Sequence, residues 1–263
     1  MLEASNKLRE TDCSELHSSW LSVARTHRGN YRQCNEDAVV NCAQSYVWAV
    51  ADGMGGHDAG DLASQAIAAA LAESMALEHQ ADMSLVDRVD WIEDQLLLVD
   101  SQLHQHAASM GKGTVIGSTV VSLTLDGATG VVLWAGDSRL YRLRAGRLDL
   151  VTRDHNPIVD LLDVGAVSEE EALATDTNVV TRAVGGARPL DLDVAVFDIA
   201  SDDTLVLCSD GLYRELQDSE MIELLAQADL DTAADQLVDR VLAGQARDNL
   251  SFVLLRKSNH ASG

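Results

Sequence analysis

Hydrophobic residues in the first part of the chain form short runs rich in β-branched and aromatic side chains. Polar or glycine-containing turns bound each run, a pattern typical of paired strands. The runs are 20–26, 37–41 and 46–51. We therefore predict that the chain enters its fold as a set of neighbouring strands.

The period of the apolar positions then changes to that of helices. In 61–77, apolar residues recur at near-helical spacing among many alanines, and in 85–103 they alternate steps of four and three. Both patterns place the apolar residues on one helix face. Ser84, three residues before Asp87, resembles the capping box that begins a helix.

The second half of the chain returns to strand patterns and then to helices. Asp126-Gly127 and Ala145-Gly146 have the composition of hairpin turns, so the strands around them are predicted to be antiparallel. The predicted strands are 118–125, 131–135, 140–144, 147–151, 194–199, 205–208 and 250–255. Two amphipathic helices, 218–227 and 231–243, precede the final strand.

This order of elements predicts packed sheets with helices on their outer faces. Only two prolines and no linker-like tract interrupt the chain, which favours one domain over 19–257. We expect 1–18 to be a poorly ordered lead-in and 258–263 a tail. Residues 155–180 form a surface insertion that is either a lid or specificity element or an ordinary packed loop.

Composition excludes several classes of function. With 42 acidic and 19 basic residues the net charge is −23, which would repel nucleic acid over most of the surface. No apolar stretch approaches the length of a membrane span, and no leader pattern is present. The four cysteines lack C-x-x-C pairing, which predicts buried reduced thiols and a cytoplasmic location.

The segment from Asp52 to Gly60 is the densest candidate site. Its glycines allow close approach to a ligand, but Asp61 stands where a phosphate-binding loop needs lysine, and Asp58 stands where a dinucleotide loop needs glycine. What remains is a carboxylate with exposed backbone carbonyls. Such oxygen donors suit Mg²⁺ or Mn²⁺.

Three further aspartates, Asp137, Asp210 and Asp248, lie at predicted strand ends beside small or glycine residues. Each alone is explained as a turn-forming aspartate. Together with Asp52 they favour a metal site assembled from distant strands. A calcium-binding structural module remains an alternative, although it predicts ligands clustered in one loop.

Eight segments in order resemble the metal-dependent protein phosphatases (PPM), the type-2C serine/threonine phosphatases, in their compact bacterial single-domain form. The resemblance covers about residues 20–256. The segments are Arg32-Gln-Cys-Asn-Glu36-Asp37, Asp52-Gly-Met-Gly-Gly, Gly117-Ser-Thr, Gly136-Asp-Ser-Arg, Asp154-His-Asn, Thr181-Arg-Ala-Val-Gly, Ser209-Asp-Gly-Leu and Asp248-Asn.

The resemblance implies an α+β fold, a four-layer α-β-β-α sandwich of two antiparallel sheets flanked by helix pairs. It implies two to three Mn²⁺ or Mg²⁺ ions. By position, Asp52 would bridge two metals and Gly53 would lend its carbonyl to the second. Asp210 and Asp248 would complete the first, and Asp137 with Asp210 would hold a third.

The same resemblance implies the catalytic residues. Arg32 matches a phosphate-binding arginine, and Glu36 and Asp37 match carboxylates that orient metal-bound water. Met54 replaces the histidine that eukaryotic relatives carry directly after the Asp-Gly pair. His57 is therefore a candidate general acid, with helix capping as an equally plausible role.

The function implied is hydrolysis of phosphoserine and phosphothreonine in proteins, opposing a bacterial serine/threonine kinase in signalling that includes secretion control. We expect a cytoplasmic monomer with no nucleic-acid or membrane partner. A catalytically inactive relative that only binds phosphoproteins is the alternative, and it would be expected to lack metal ligands.

Overall fold

The strands form two sheets in the structure, a computed structural model that describes residues 10–12, 20–55, 59–73, 83–111, 113–168, 170–171 and 179–258. The first sheet has the order β1-β3-β4-β6-β7-β10, with β5 paired to β4. Its strands are β1 (Glu10–Asp12), β3 (Asp37–Cys42), β4 (Val47–Met54), β5 (Gly117–Ser118), β6 (Val120–Asp126), β7 (Thr129–Ala135) and β10 (Asp193–Asp198). All its pairs are antiparallel except β1 with β3.

The second sheet is antiparallel, in the order β2-β12-β11-β8-β9. Its strands are β2 (Trp20–His27), β8 (Arg139–Arg144), β9 (Arg147–Leu150), β11 (Thr204–Cys208) and β12 (Leu250–Lys257). The first and last strands of this sheet to be synthesised, β2 and β12, are direct neighbours.

Two pairs of helices cover the outer faces of the sheets. Helices α1 (Ala59–Glu73) and α2 (Leu85–Met110) pack on the first sheet. Helices α5 (Asp218–Leu225) and α6 (Leu230–Leu242) pack on the second. The short helices α3 (Pro157–Asp163) and α4 (Asp210–Tyr213) and a 3-10 turn at Ala43–Ser45 complete the described elements.

Alternation along the strands produces three apolar layers. In β4, Val47, Ala49 and Ala51 pack toward the helices, whereas Trp48 and Val50 pack toward the second sheet. Successive side chains of a strand point to opposite faces, so each strand serves two cores. The predicted four-layer α-β-β-α sandwich is thereby confirmed.

Several predicted boundaries differ from the structure. Strand β4 continues beyond the predicted 46–51 to Met54, and α2 continues beyond the predicted 85–103 to Met110. Residues 74–77 of the first predicted helix lie outside the described residues. Strand β1 falls within the predicted lead-in, where the polar sequence gave no strand signal.

The hairpin turn predicted at Ala145-Gly146 and the cap predicted at Ser84 are present, whereas the turn predicted at Asp126-Gly127 lies one residue later, at 127–128, because Asp126 still pairs with Thr129. Ala145 and Gly146 have φ angles of 50° and 77°, the left-handed pair that a tight hairpin requires. Ser84 accepts a hydrogen bond from the Asp87 amide at the start of α2. None of the helices in the described ranges is long and apolar enough to cross a membrane.

The cysteine prediction holds for two of the three described thiols. Cys42 and Cys208 are free and buried. Cys34 is free but exposed, because it lies in the loop before β3 and not inside an apolar run, so the prediction of burial was wrong there.

Candidate active site

Asp37 and Asp52 are direct partners across the β3–β4 ladder, at one end of the sandwich. The main chain of Asp52 is also held from its other side. The Thr119 amide donates to the Asp52 carbonyl at 2.9 Å, and the Asp52 amide donates to Thr119 Oγ1 at 3.3 Å. Hydrogen bonds to the main chain of Asp52 therefore fix the position from which its carboxylate extends.

Gly53 lies where two main chains approach closely. Its amide donates to the Glu36 carbonyl at 3.2 Å, and Ser64 Oγ donates to the same oxygen at 2.5 Å. A Cβ atom on Gly53 would lie 2.2 Å from the Gly60 carbonyl oxygen. Only glycine fits this position, because any side chain would collide with backbone.

Asp137 and Asp210 come from opposite sheets. Asp137 follows β7 and its carbonyl accepts a hydrogen bond from Tyr213 Oη at 3.1 Å. Asp210 begins α4 directly after β11. Arg214 Nε lies 3.0 Å from Asp210 Oδ2, and Arg214 Nη2 lies 3.7 Å from Asp137 Oδ2.

Asp248 and Arg32 form an ion pair at the mouth of the site. Arg32 Nη2 donates to Asp248 Oδ2 at 2.7 Å, and both side chains are partly exposed. The neighbouring Asn249 binds the loop between β2 and β3 at three positions. Its Nδ2 donates to the carbonyls of Arg28 and Cys34, and its Oδ1 accepts from the Glu36 amide. Asn249 thus holds the Arg32 loop against β12.

Seven of the nine predicted site residues line one cleft of about 220 Å³. They are Arg32, Glu36, Asp52, Gly53, Asp137, Asp210 and Asp248. Asp37 is 1% exposed and lies beneath the cleft, where its Oδ2 accepts a hydrogen bond from Ser209 Oγ at 2.9 Å. His57 lies outside the described residues, so its role stays a prediction.

Burial and the charges of neighbouring aspartates raise the pKa values of Asp37, Asp52, Asp137 and Asp210. Burial, followed by the charges of the neighbouring aspartates, holds the pKa of Asp52 well above its ordinary value. Burial raises the pKa of Asp210 to about 7 against the opposing effect of Arg214, and it raises the pKa of Asp37 to about 6. Carboxylates gathered at this cost in free energy are typical of functional sites.

The donors in the cleft fit hard divalent cations. Asp210 Oδ1 is buried without a hydrogen-bond partner among the described residues, and the carboxylates come from separate segments rather than from one loop. In that same part of the chain no three acidic, histidine or cysteine side chains are already grouped as ligands of one ion. Two of the aspartates are bonded to arginine instead. Oxygen donors with excess negative charge are nevertheless what Mg²⁺ and Mn²⁺ require.

A second cavity of about 690 Å³ adjoins the cleft, and Met54 and Val180 line both. His155 anchors the base of this region. Its ring stacks on Trp134, its Nδ1 accepts from the Gly136 amide, and its carbonyl accepts from the Thr181 amide at 2.8 Å.

Four residues around the cleft had no role assigned from sequence. Ser209 and Asn249 stand in the quoted segments, next to Asp210 and Asp248, but their hydrogen bonds join residues far apart in the chain. Thr119 likewise acts across two strands. The four-residue spacing of Asp210 and Arg214 was the one local signal available, because such pairs meet on a helix.

Comparisons with known proteins identify the family of the chain. The family model described as protein phosphatase 2C matches residues 24–253. The serine/threonine phosphatase stp of Listeria welshimeri is 31% identical over 239 residues, which are 89% of this chain and 94% of the relative.

Two solved structures are similar over nearly their whole length. PppA, described as a key regulatory component of T6SS in Pseudomonas aeruginosa, is 37% identical with a TM-score of 0.80, covering 90% of this chain and 97% of that one. The catalytic domain of the phosphatase PstP, in complex with two manganese ions, is 30% identical with a TM-score of 0.77, covering 90% and 97%.

The resemblance of the eight segments, the four-layer fold and the convergence of the acidic residues on one cleft lead to the same assignment. The chain belongs to the protein phosphatase 2C family and is a metal-dependent serine/threonine phosphatase.

Proposed function

We propose that Asp52, Gly53, Asp210 and Asp248 hold two divalent cations and that Asp137 and Asp210 hold a third. The observation that carries this proposal is the convergence of these residues, from both sheets, on one cleft whose described lining brings their oxygen donors together beside Arg32. Mn²⁺ is the favoured ion because the similar PstP domain contains it, and Mg²⁺ satisfies the same donors.

The cations, when bound, supply a water of lowered pKa, from about 15.7 toward about 7, and neutralise charge on the phosphoryl oxygens. Arg32 binds the phosphoryl group of the substrate. An arginine carries five N–H donors, so its contact with Asp248 leaves donors for two phosphoryl oxygens. This gives an acidic protein a local site for an anion.

Glu36 and Asp37 orient the attacking water by accepting hydrogen bonds from its shell. Glu36 lines the cleft directly, whereas buried Asp37 acts from below and is itself positioned by Ser209. Catalysis therefore rests on positioning and electrostatics, with no covalent intermediate on the protein.

The phosphorylated residue of a protein substrate enters the cleft, and we place its flanking polypeptide in the adjoining cavity. The wall of this cavity combines apolar residues with the partly exposed Arg182, which pairs with Asp191 and Asp193. The insertion 155–180 contributes Asp160 and Val180 to this wall, which favours a specificity role over an ordinary loop.

The biological setting follows by similarity. Because PppA shares this fold at 37% identity and is described as a regulatory component of T6SS, we propose that the chain opposes a serine/threonine kinase in control of secretion. We further propose that it works in the cytoplasm as a monomeric domain spanning 19–257.

Phosphate release from phosphothreonine peptides tests the metal assignment. We expect activity with Mn²⁺ or Mg²⁺, none with a chelator, and at least a ~10²-fold loss in Asp210→Asn, since a proposed cation ligand and its buried Oδ1 are altered together. Asp202→Asn, at an exposed turn, is the matched control. Full activity in chelator would contradict the proposal.

The role of His57 needs a separate comparison of leaving groups. If His57 donates the proton, His57→Ala slows peptide phosphoesters more than aryl phosphates, whose leaving groups need little protonation. Equal slowing of both substrates would remove His57 as the general acid.

A further inference from the structure

Arg214 contacts both carboxylates of the Asp137–Asp210 pair. Its Nε lies 3.0 Å from Asp210 Oδ2, and its Nη2 lies 3.7 Å from Asp137 Oδ2. The three side chains are largely buried, with 29% of Arg214, 14% of Asp210 and 9% of Asp137 exposed. Water therefore screens this contact less than it screens a surface ion pair.

The surroundings fix the guanidinium in this place. Arg214 is four residues after Asp210 on a helical turn, and its amide donates to the Asp210 carbonyl at 3.0 Å. The preceding Tyr213 donates to the Asp137 carbonyl. Arg139, which forms a two-pronged ion pair with Asp154, stacks on the Tyr213 ring at 3.6 Å.

The contact with Arg214 also gives the two carboxylate oxygens of Asp210 different surroundings. Oδ2 bonds to the guanidinium, whereas Oδ1 is buried without a hydrogen-bond partner in the described ranges. One oxygen is thus available to a cation while the other is committed. Asp52 and Asp248, the other proposed carboxylate ligands, form no ion pair with Arg214 among the described residues.

We propose that Arg214 is a built-in counter-ion of the Asp137–Asp210 pair, which weakens the binding of the third divalent cation relative to the first two. The proposal rests on the metal assignment proposed above. A fixed positive charge within a few ångströms repels a divalent ion and shares the carboxylate oxygens that would bind it. The third position then fills only at cation concentrations well above those that fill the other two.

Occupancy of the third cation position then depends on Arg214 as well as on the acidic residues. With the guanidinium present, the pair and its counter-ion carry one net negative charge, and without it they carry two. An added divalent cation is attracted more strongly to the more negative pair. The affinity of the first two cations changes less. Of their proposed carboxylate ligands only Asp210 contacts Arg214, and the others lie farther from it.

Titration of Mn²⁺ into metal-free protein, with free Mn²⁺ followed by electron paramagnetic resonance, tests the proposal without measuring activity. In Arg214→Gln we expect the weakest dissociation constant to fall by at least about tenfold. Arg214→Lys keeps the charge and should stay within about threefold of wild type. Arg147→Gln removes an exposed positive charge on the β8–β9 hairpin and is the matched control.

A double-mutant cycle tests whether the gain in affinity for the third cation arises at the Asp137–Asp210 pair. Adding Asp137→Asn to Arg214→Gln should abolish the gain in affinity, because one of the two carboxylates is then uncharged. Arg214→Met, which keeps an apolar stem, replaces the glutamine variant if melting of the metal-free protein shows that the latter does not fold.

An unchanged or weaker third constant in Arg214→Gln would overturn the proposal, as would the absence of a third Mn²⁺ in both proteins. Two tight Mn²⁺ ions and metal-dependent hydrolysis in wild type would still stand in that case. The failure of this inference is therefore distinguishable from the failure of the proposed function.

Discussion

The two halves of the cleft are held in different ways. On the first sheet, Asp37, Asp52 and Gly53 are fixed by ladder and backbone hydrogen bonds, and no described arginine forms an ion pair with either aspartate. On the second sheet, Asp210 and Asp248 bond to arginine side chains. Asp37 and Asp52 are thus positioned by hydrogen bonds and Asp210 and Asp248 by charge. Asp137, which follows β7 of the first sheet, shares the Arg214 contact with Asp210.

A carboxylate can therefore be held firmly in place without having its negative charge neutralised. The backbone-held half places Asp52 accurately but leaves its charge uncompensated, which is why its pKa is raised by burial and by the neighbouring aspartates. The arginine-paired half is already partly neutralised. We therefore expect Asp52 to contribute more to the binding of the proposed cations than Asp248 does.

The largest expected effect compares one aspartate from each half. We expect Asp52→Asn to lower kcat/KM on a phosphothreonine peptide by at least about 10³-fold, and Asp248→Asn by about 10²-fold, because loss of Asp248 also releases Arg32 to bind phosphate. Assays use saturating Mn²⁺, with melting curves to check the fold. Equal losses would remove the distinction between the two halves.

A substitution at Gly53 tests how rigid the backbone-held half is. We expect Gly53→Ala to lower the free energy of unfolding by about 3 kcal/mol, since the new Cβ would lie 2.2 Å from a carbonyl oxygen. Gly244→Ala, whose nearest contact would be 3.2 Å, should cost less than about 1 kcal/mol. Chemical denaturation measures both, and similar costs would contradict the close packing at Gly53.

The pH dependence of metal-free stability sharpens the same comparison. The folded pKa values of Asp37, about 6, and Asp210, about 7, exceed their ordinary value. The folded protein therefore binds more protons than the unfolded chain between about pH 4 and 7. Its free energy of unfolding should therefore fall as pH rises through this window, because the folded protein loses the protons that it holds in excess of the unfolded chain.

Denaturation in chelator at pH 5 and 7.5 measures this slope. Asp210→Asn removes one of the two titrating groups and should flatten it, and Mn²⁺ at pH 7.5 should restore the lost stability. A slope that is identical in wild type and variant would show that Asp210 does not carry the expected proton.

Sequence patterns predicted the parts of the fold that depend on local alternation. The hairpin at Ala145-Gly146 and the cap at Ser84 need only neighbouring residues, so their signals are complete in the sequence. The C-terminal turns of α2 were missed because polar residues dominate there. Ala107 is buried in them, but a single small residue does not produce a helical period.

The candidate site likewise has features that local sequence patterns predict and features that they do not. Asp52, Asp137, Asp210 and Asp248 were identified because each follows or precedes an apolar strand beside small residues, and the resemblance supplied their proposed roles. The contacts of Asn249 with Arg28 and Glu36 join residues more than 200 positions apart. No local pattern encodes such contacts, because they arise only when the sheets have formed.

The pairing of β2 with β12 has a consequence for protein synthesis. Among the described strands β2 pairs only with β12, and the segment before β12 supplies Asp248 and Asn249. A chain emerging from the ribosome therefore exposes no complete cleft until its last strand has been released. We therefore expect chains that lack β12 to be inactive, and dephosphorylation to begin only after this strand has been synthesised.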